Sequence, residues 1–248
     1  MLPLITITVP SFSVLAFTGG FFAFILVYFR AKKLSVRLID LLKLFALSAI
    51  CAYVGATFVF MLTRIPWLVT HFSFRNLLYL ITRSGIVFYG GLFGVLLAAK
   101  LFARFCRYDE AATYRMIVPA IPLFHAFGRI GCLLGGCCFG RVLATVIEFD
   151  GVLFTRMPVQ AFEAAFCFLL FSSLMIIEKK RREWDLLRTY MLSYAAFRFA
   201  IEFLRGDNLR GVYILSTSQW ISLAIIAYYI FKWVRNRRRN VKDMEEAP

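Results

Sequence analysis

Long runs of uncharged residues restrict the folds open to this chain more than any other feature of its sequence. Residues Met1–Phe29 carry no charge, and Leu44–Thr63 and Val212–Phe231 are each 20 residues long without one. A helix needs about 20 apolar residues to cross a bilayer. The hydrophobic share of 61% also exceeds the roughly 45–50% of a typical soluble domain. We therefore predict an all-α, polytopic membrane protein in which residues 1–248 form one integral-membrane domain.

The positions of lysine and arginine predict how the chain crosses the membrane. The seven predicted transmembrane helices are Phe12–Phe29, Leu41–Leu62, Ser84–Phe102, Met116–Leu134, Met157–Ile177, Thr189–Leu204 and Ser218–Trp233. This topology places 19 of the 29 Lys and Arg residues on the cytoplasmic side, counting Lys100 and Lys232 at the cytoplasmic ends of their spans, and 7 in outer segments. Cytoplasmic loops typically carry such an excess. The N-terminus is therefore predicted outside. The C-terminus, with a tail over residues 235–248 that is basic and then acidic, is predicted in the cytoplasm.

The same clustering explains the net charge of +15. Because the basic residues lie in short groups between apolar runs, the charge indicates membrane loops and does not indicate a nucleic-acid partner. Two outer segments differ in composition. Thr63–Arg83 has apolar residues at helical spacing and predicts an amphipathic piece at the membrane interface. Gly135–Thr155 is rich in glycine and is predicted to be an irregular loop.

Charged residues inside predicted spans indicate a functional site. A bare arginine near the bilayer centre costs roughly 2.5–3.5 kcal/mol, so Arg129 is expected to have a partner or an anionic ligand. Arg198, Glu202 and Arg205 follow one another at spacings of four and three, which places them on one helical face. One interpretation is an ion pair that locks the helices together. We favour a second, in which Glu202 orients Arg198 so that this arginine and Arg129 bind a lipid phosphate.

Glycines accompany these charges in two places. Gly90 and Gly91 lie in the third predicted span, and Gly128, Gly131 and Gly140 lie in and after the fourth. Without side chains they allow another helix or a lipid to approach closely. Helix packing is the simpler interpretation. Room for a lipid, with backbone N–H groups exposed to its phosphate, is the functional one.

Three cysteines, Cys132, Cys137 and Cys138, follow Arg129. Structural zinc sites usually combine two closely spaced pairs of ligands. Because the sequence contains no second pair, a metal site is not predicted. A regulatory disulfide on an oxidising outer face is the alternative to a set of reduced thiols.

The order of these motifs resembles that of the prolipoprotein diacylglyceryl transferase family over nearly the whole chain. The most specific match is Gly128-Arg129-Ile130-Gly131 with Gly140. Further similarities are Pro10–Ser13 to Pro-Ser-Tyr-Gly, Gly55–Thr57 to Gly-Ala-Arg, Phe88–Leu92 to Phe-His/Tyr-Gly-Gly-Leu, Met157–Glu163 to His-Pro-Thr-Gln-Leu-Tyr-Glu, and Arg198–Asp207 and Ser216–Trp220 to the last third of the family.

This resemblance implies a multi-pass enzyme of the bacterial inner membrane, with no cofactor and no metal. The implied reaction moves the diacylglyceryl group of phosphatidylglycerol to the thiol of a lipobox cysteine in a prolipoprotein signal peptide. It is the first step of lipoprotein maturation and yields a thioether and glycerol phosphate. Arg129 and Arg198 occupy the family's arginine positions, and Glu202 that of their partner acid. The implied substrate-binding residues are Gly90, Gly91, Gly128, Gly131, Cys132, Cys137, Gly140, Gln160, Glu163 and Arg205.

The general base is left open between two residues. Tyr89 stands where many members of the family have a histidine, and a tyrosine with a pKa near 10 is a poor base at neutral pH. His125 lies one helical turn before Arg129, and a histidine pKa near 6.5 suits the task. A histidine bonded to a backbone carbonyl is the plainer interpretation of His125.

Departures from the family pattern keep two other functions open. Phe12 replaces a tyrosine and Met157 a histidine, in addition to Tyr89. One alternative is a transferase of the same fold that uses a different acceptor. The other is a catalytically inactive member that binds an anionic lipid.

Overall fold

The structure is a computed structural model that describes residues 11–82, 87–149, 152–181, 183–206, 211–212 and 214–245. Its helices are α1 (Ser11–Lys33), α2 (Leu38–Thr70), α3 (Phe74–Thr82), α4 (Phe88–Cys106), α5 (Glu110–Ile117), α6 (Ala120–Leu134), α7 (Val159–Lys180), α8 (Leu186–Ile201) and α9 (Thr217–Glu245). Its strands are β1 (Val142–Phe149), β2 (Val152–Arg156), β3 (Gly211–Val212) and β4 (Leu215–Ser216). Pro10, the first residues of the third predicted span and Asp207 lie outside the described residues.

The expectation of a predominantly helical, multi-pass membrane protein is confirmed. Among the described residues, five helical segments are long and apolar enough to cross a membrane: Ser11–Lys33, Leu38–Ile65, Phe88–Cys106, Glu110–Leu134 and Val159–Lys180. They correspond to the first five predicted spans. The sixth and seventh are helices too, but α8 has only 16 residues and α9 opens with the polar residues Thr217, Ser218 and Gln219.

Three predicted boundaries differ from the structure. Helix α2 continues to Thr70, so the predicted amphipathic piece is confined to α3, whose apolar residues do lie on one face. Helix α8 ends at Ile201, and the residues Glu202–Leu204 form one 3₁₀ turn. Most of the predicted irregular loop Gly135–Thr155 is instead the antiparallel hairpin of β1 and β2, because β1 is rich in the β-branched residues that favour strands.

The described residues form two compact units, whose boundary falls inside α6 between Gly128 and Arg129. The N-terminal unit covers Ser13–Gly128. The C-terminal unit begins at Arg129 and also includes Phe12.

Within the N-terminal unit, α2 and α4 pack closely because glycines face each other across the contact. A Cβ atom added at Gly90 would overlap the Gly55 carbonyl and lie 2.9 Å from the Ala56 Cα. A Cβ atom at Gly94 would overlap the Cys51 carbonyl in the same way. Small residues that bring backbones together in this manner are typical of packed membrane helices. The space at Gly90 is therefore occupied by a helix, which is the packing interpretation of this motif.

Neighbouring glycines on α4 give a direct test of this packing. We expect Gly90→Ala to destabilise the protein by about 1–3 kcal/mol, because backbone atoms of α2 must move. Gly91→Ala is expected to be tolerated, since its Cβ would lie 3.6 Å from the Ala52 carbonyl oxygen and 3.8 Å from the Ala56 Cβ. Thermal unfolding of both variants in detergent checks the prediction. Equal melting temperatures would show that α2 and α4 do not touch at Gly90.

In the C-terminal unit, α7 packs against α8, and α8 against α9. A capping box begins α9. The Ser216 N–H donates to Gln219 Oε1 (2.9 Å), and the Gln219 N–H donates to Ser216 Oγ (3.2 Å). This exchange satisfies backbone donors at the start of the helix. The capping box also positions Ser218, two residues after Ser216, beside the buried Arg198 of α8.

Candidate active site

Glu163 on α7 is the centre of a buried cluster of charges. Its Oε2 contacts Arg129 Nε, and its Oε1 lies 2.7 Å from Arg198 Nη1 and 3.4 Å from Arg205 Nη1. All four side chains are buried, with at most 9% of each residue exposed. One carboxylate therefore holds guanidinium groups from α6, from α8 and from the segment that follows the 3₁₀ turn.

Glu202 supplies the second carboxylate of the cluster. Its Oε2 lies 2.6 Å from Arg198 Nη2 and 4.0 Å from Arg205 Nε. The ion pair between Arg198 and Glu202 that helical spacing predicts is thus present. Arg198 is held on both sides, because Nη1 contacts Glu163 while Nη2 contacts Glu202 and donates to Ser218 Oγ (3.3 Å). Its donor fork is directed at protein groups.

Arg129 is held differently from Arg198. It contacts Glu163 through Nε, and within the described part of the chain no hydrogen bond involves its Nη1 or Nη2. Three guanidinium groups face two carboxylates in this cluster, which leaves one positive charge in excess. An uncompensated buried charge is costly, so the cluster is suited to an anion that accepts hydrogen bonds from the outer nitrogens of Arg129.

The turn after α6 is tied to this cluster through α7 and the hairpin. Gln160 on α7, which is fully buried, donates from Nε2 to the Cys137 carbonyl. Gly140 donates its N–H to the Met157 carbonyl (2.9 Å) and forms a β-bridge with Arg205. A Cβ atom at Gly140 would lie 2.6 Å from the Met157 Cβ and 2.7 Å from the Leu204 carbonyl oxygen. Protein atoms therefore occupy the space beside Gly140 that the sequence suggested for lipid.

The structure distributes the predicted site residues over both units. One group lies in the C-terminal unit, in or beside the charge cluster and the adjoining turn: Arg129, Gly131, Cys132, Cys137, Gly140, Gln160, Glu163, Arg198, Glu202 and Arg205. The others lie in the N-terminal unit: Tyr89, Gly90, Gly91, His125 and Gly128. Gly128 has open space where a Cβ atom would lie, so close packing does not explain this glycine.

Both candidate bases are buried beside Phe88. His125 is 7% exposed and Tyr89 is 1% exposed. The His125 ring stacks on Phe88 with a centroid distance of 3.9 Å and an interplanar angle of 14°. The Tyr89 ring lies 6.3 Å from the same Phe88 ring. This packing suits a structural histidine as well as a catalytic one, and the base stays open between the two residues.

The structure adds the contacts of two residues that the sequence does not predict. Glu163 contacts three arginines, and its predicted role in substrate binding stays a prediction; Ser218 contacts Arg198. The available signal for Glu163 was an acid inside an apolar run, because such an acid is expected to pair with a buried base. For Ser218 the signal is only local, since its contact with Arg198 follows from where α9 begins.

Comparison with known proteins agrees with the motif pattern. The family model described as prolipoprotein diacylglyceryl transferase matches residues 1–235. Phosphatidylglycerol–prolipoprotein diacylglyceryl transferase of Clostridium tetani is 34% identical over 169 residues, which is 63% of this chain and 67% of the relative. A second enzyme of that name, from Clostridium perfringens, is 33% identical over 174 residues, or 66% of this chain and 67% of the relative. The protein of the same name from Dehalococcoides mccartyi strain 195 is 31% identical over 183 residues, or 66% of each chain.

The aligned part of the chain spans about two thirds of the length of these relatives, whereas the family model covers it almost from end to end. The buried arginine cluster and the sequence match therefore lead to one conclusion: this chain belongs to the prolipoprotein diacylglyceryl transferase family.

Proposed function

We propose that this protein transfers the diacylglyceryl group of phosphatidylglycerol to the thiol of a lipobox cysteine in a prolipoprotein. The observation that carries this proposal is Arg129, a buried guanidinium that is anchored to Glu163 through Nε and has its outer nitrogens available for an anion. The phosphodiester of phosphatidylglycerol supplies that anion. Family membership supplies the reaction type.

The proposed reaction forms one carbon–sulfur bond, breaks one carbon–oxygen bond and transfers one proton. The cysteine sulfur bonds to the glyceryl carbon of the lipid, and the bond from that carbon to the phosphate oxygen breaks. The bonding electrons leave with glycerol phosphate, and the thiol proton goes to a base, His125 or Tyr89. Negative charge grows on the departing phosphate oxygen, and donors fixed in advance stabilise such charge most in the transition state. Arg129 would serve as this donor.

In this proposal the other residues of the cluster orient Arg129 and determine the net charge around it. Glu163 fixes the orientation of Arg129, while Glu202 and Ser218 hold Arg198 in contact with the same carboxylate. Arg198 contributes positive charge at short range, and a direct bond from it to phosphate requires one carboxylate to give way. Gln160 and Gly140 hold the turn after α6 against α7 and the hairpin.

The proposed location is the bacterial inner membrane, with seven spans, the N-terminus outside and the C-terminus in the cytoplasm. Distribution of Lys and Arg supports this topology. Arg129 and Arg198 then lie toward the outer side, where a signal peptide presents its cysteine. The alternative of a lipid-binding member without catalysis is favoured by one observation, the tyrosine at position 89 where many members have histidine.

Reconstitution distinguishes catalysis from binding. We expect the full-length protein in phosphatidylglycerol nanodiscs to convert a lipobox peptide to its diacylglyceryl thioether, with one glycerol phosphate released for each peptide modified. Mass spectrometry of peptide and lipid products measures both. A peptide with serine in place of the cysteine serves as control and should stay unmodified. Binding of phosphatidylglycerol without either product would leave the inactive lipid-binding protein as the correct function.

A further inference from the structure

The three cysteines that follow Arg129 come together in the folded chain. The Sγ atoms of Cys132, Cys137 and Cys138 all lie within 4.8 Å of one another. No disulfide joins these described thiols. Cys132 is buried at the end of α6 and Cys137 is exposed, so the cluster is not fully enclosed by protein. Spacing alone does not predict this approach, because it depends on the turn between the cysteines.

Unusual backbone conformations build that turn. Gly136 has a φ of 65° and Cys138 a φ of 62°, and the left-handed region costs an ordinary L-residue roughly 1–2 kcal/mol. The Cys137 N–H donates to the Cys132 carbonyl (3.1 Å), and Gln160 donates to the Cys137 carbonyl. Residues held in such conformations persist only where the surrounding structure over-determines them, and they concentrate at functional sites. Here the conformation of Cys138 brings a third thiol to the other two.

We propose that Cys132, Cys137 and Cys138 bind one soft divalent ion of the zinc class as a three-sulfur site. Thiolate ligands select such ions over hard cations. A tetrahedral ion with metal–sulfur bonds of about 2.3 Å holds its sulfur atoms about 3.8 Å apart. The observed separations therefore need to shorten by at most about 1 Å for each pair. The fourth ligand position is left to water or to a group of a bound molecule.

The electrostatics of the turn are compatible with a bound cation. Binding of the ion displaces the protons of Cys132, Cys137 and Cys138 to solvent, as metal binding to thiols requires. Three thiolates around a divalent ion carry one net negative charge, so the loaded site does not place a net positive charge beside Arg129 and Arg205.

Thiol labelling of the unaltered protein tests the site without any substitution. Trypsin cleavage after Arg129 and Arg141 yields the peptide Ile130–Arg141, which contains these three cysteines and no other. We expect added Zn²⁺ to reduce iodoacetamide labelling of this peptide about tenfold when the ion is at about ten times its dissociation constant. Labelling of Cys51, which lies outside this peptide, should not change. Equal labelling with and without Zn²⁺ overturns the proposal. It is also overturned if the peptide Ile130–Arg141 has a mass two hydrogens below that of its reduced form, because that mass indicates a disulfide between two of the cysteines.

A cadmium titration locates the ion. We expect the full-length protein to bind one Cd²⁺ per chain, with the ultraviolet absorption of sulfur-to-cadmium charge transfer. The variant C132A/C137A/C138N should lose this absorption, and its asparagine tolerates the left-handed backbone at position 138. The matched variant C51A/C106A should keep it. Absorption retained by the first variant refutes the site, and neither readout depends on transfer activity.

Discussion

We expect Arg129→Ala to lower kcat/KM for diacylglyceryl transfer by about 10²–10³-fold or more, the loss typical when one donor to a developing negative charge is removed. The guanidinium of Arg129 is fixed at Nε by Glu163, so its outer nitrogens are oriented before a lipid arrives. Alanine removes both the orientation and the charge. Initial rates of peptide modification in phosphatidylglycerol nanodiscs measure the effect.

Two further variants separate the role of Arg129 from general effects of charge. Arg129→Lys keeps a positive charge but lacks the planar donor fork, so we expect its rate to lie between those of wild type and Arg129→Ala. Arg104→Ala removes an exposed arginine of α4 and should retain the wild-type rate. Melting temperatures of all three variants show whether they are folded. A folded Arg129→Ala variant with wild-type kcat/KM would remove Arg129 from the mechanism.

The second large effect is expected at Glu163. Replacing Glu163 by Ala leaves three buried guanidinium groups with one carboxylate, and breaking a buried ion pair in this way costs about 3–5 kcal/mol. For a chain of this length each kcal/mol corresponds to roughly 2–4 °C in melting temperature. We therefore expect a fall on the order of 10 °C in detergent, measured by thermal unfolding.

A graded series tests whether charge or shape is responsible at Glu163. Glu163→Gln keeps the shape and one oxygen acceptor but loses the charge, so it should destabilise the protein less than Glu163→Ala. Glu183→Ala removes an exposed acid after α7 and should leave the melting temperature unchanged. If Glu163→Ala has the same melting temperature as the wild type, the contacts of this carboxylate do not stabilise the fold.

Local spacing was sufficient to predict one part of the cluster. Arg198 and Glu202 are four residues apart, and four residues make about one helical turn, so their ion pair follows wherever the chain is helical. The pair is present at 2.6 Å although the α-helix gives way to a 3₁₀ turn at Glu202. Apolar runs likewise predicted the five long helices, because a bilayer admits few other structures for such segments.

Contacts between segments that are distant in sequence could not be predicted from local spacing. Glu163 is 35 residues from Arg198 and 42 from Arg205 in sequence, and no spacing rule joins residues so far apart. The same holds for Gly55 and Gly90, whose close approach depends on the crossing of α2 and α4. The hairpin of β1 and β2 was predicted as irregular because the number of glycines before it outweighed its short β-branched run.

By itself, the sequence determined that this chain is a helical membrane protein with an arginine, Arg129, inside one of its apolar segments. Water is absent from a bilayer, so segment length and charge strongly restrict what such a chain can form. The tertiary structure alone decided which carboxylate holds which arginine. That assignment rests on the packing of α7 against α8 and on the turn after α6, whose backbone hydrogen bonds hold it to residues before α7. In the folded chain Arg198 directs its outer nitrogens at Glu163, Glu202 and Ser218. Arg129 contacts Glu163 through Nε, which leaves its outer nitrogens as hydrogen-bond donors for a ligand, although the two arginines look alike in sequence.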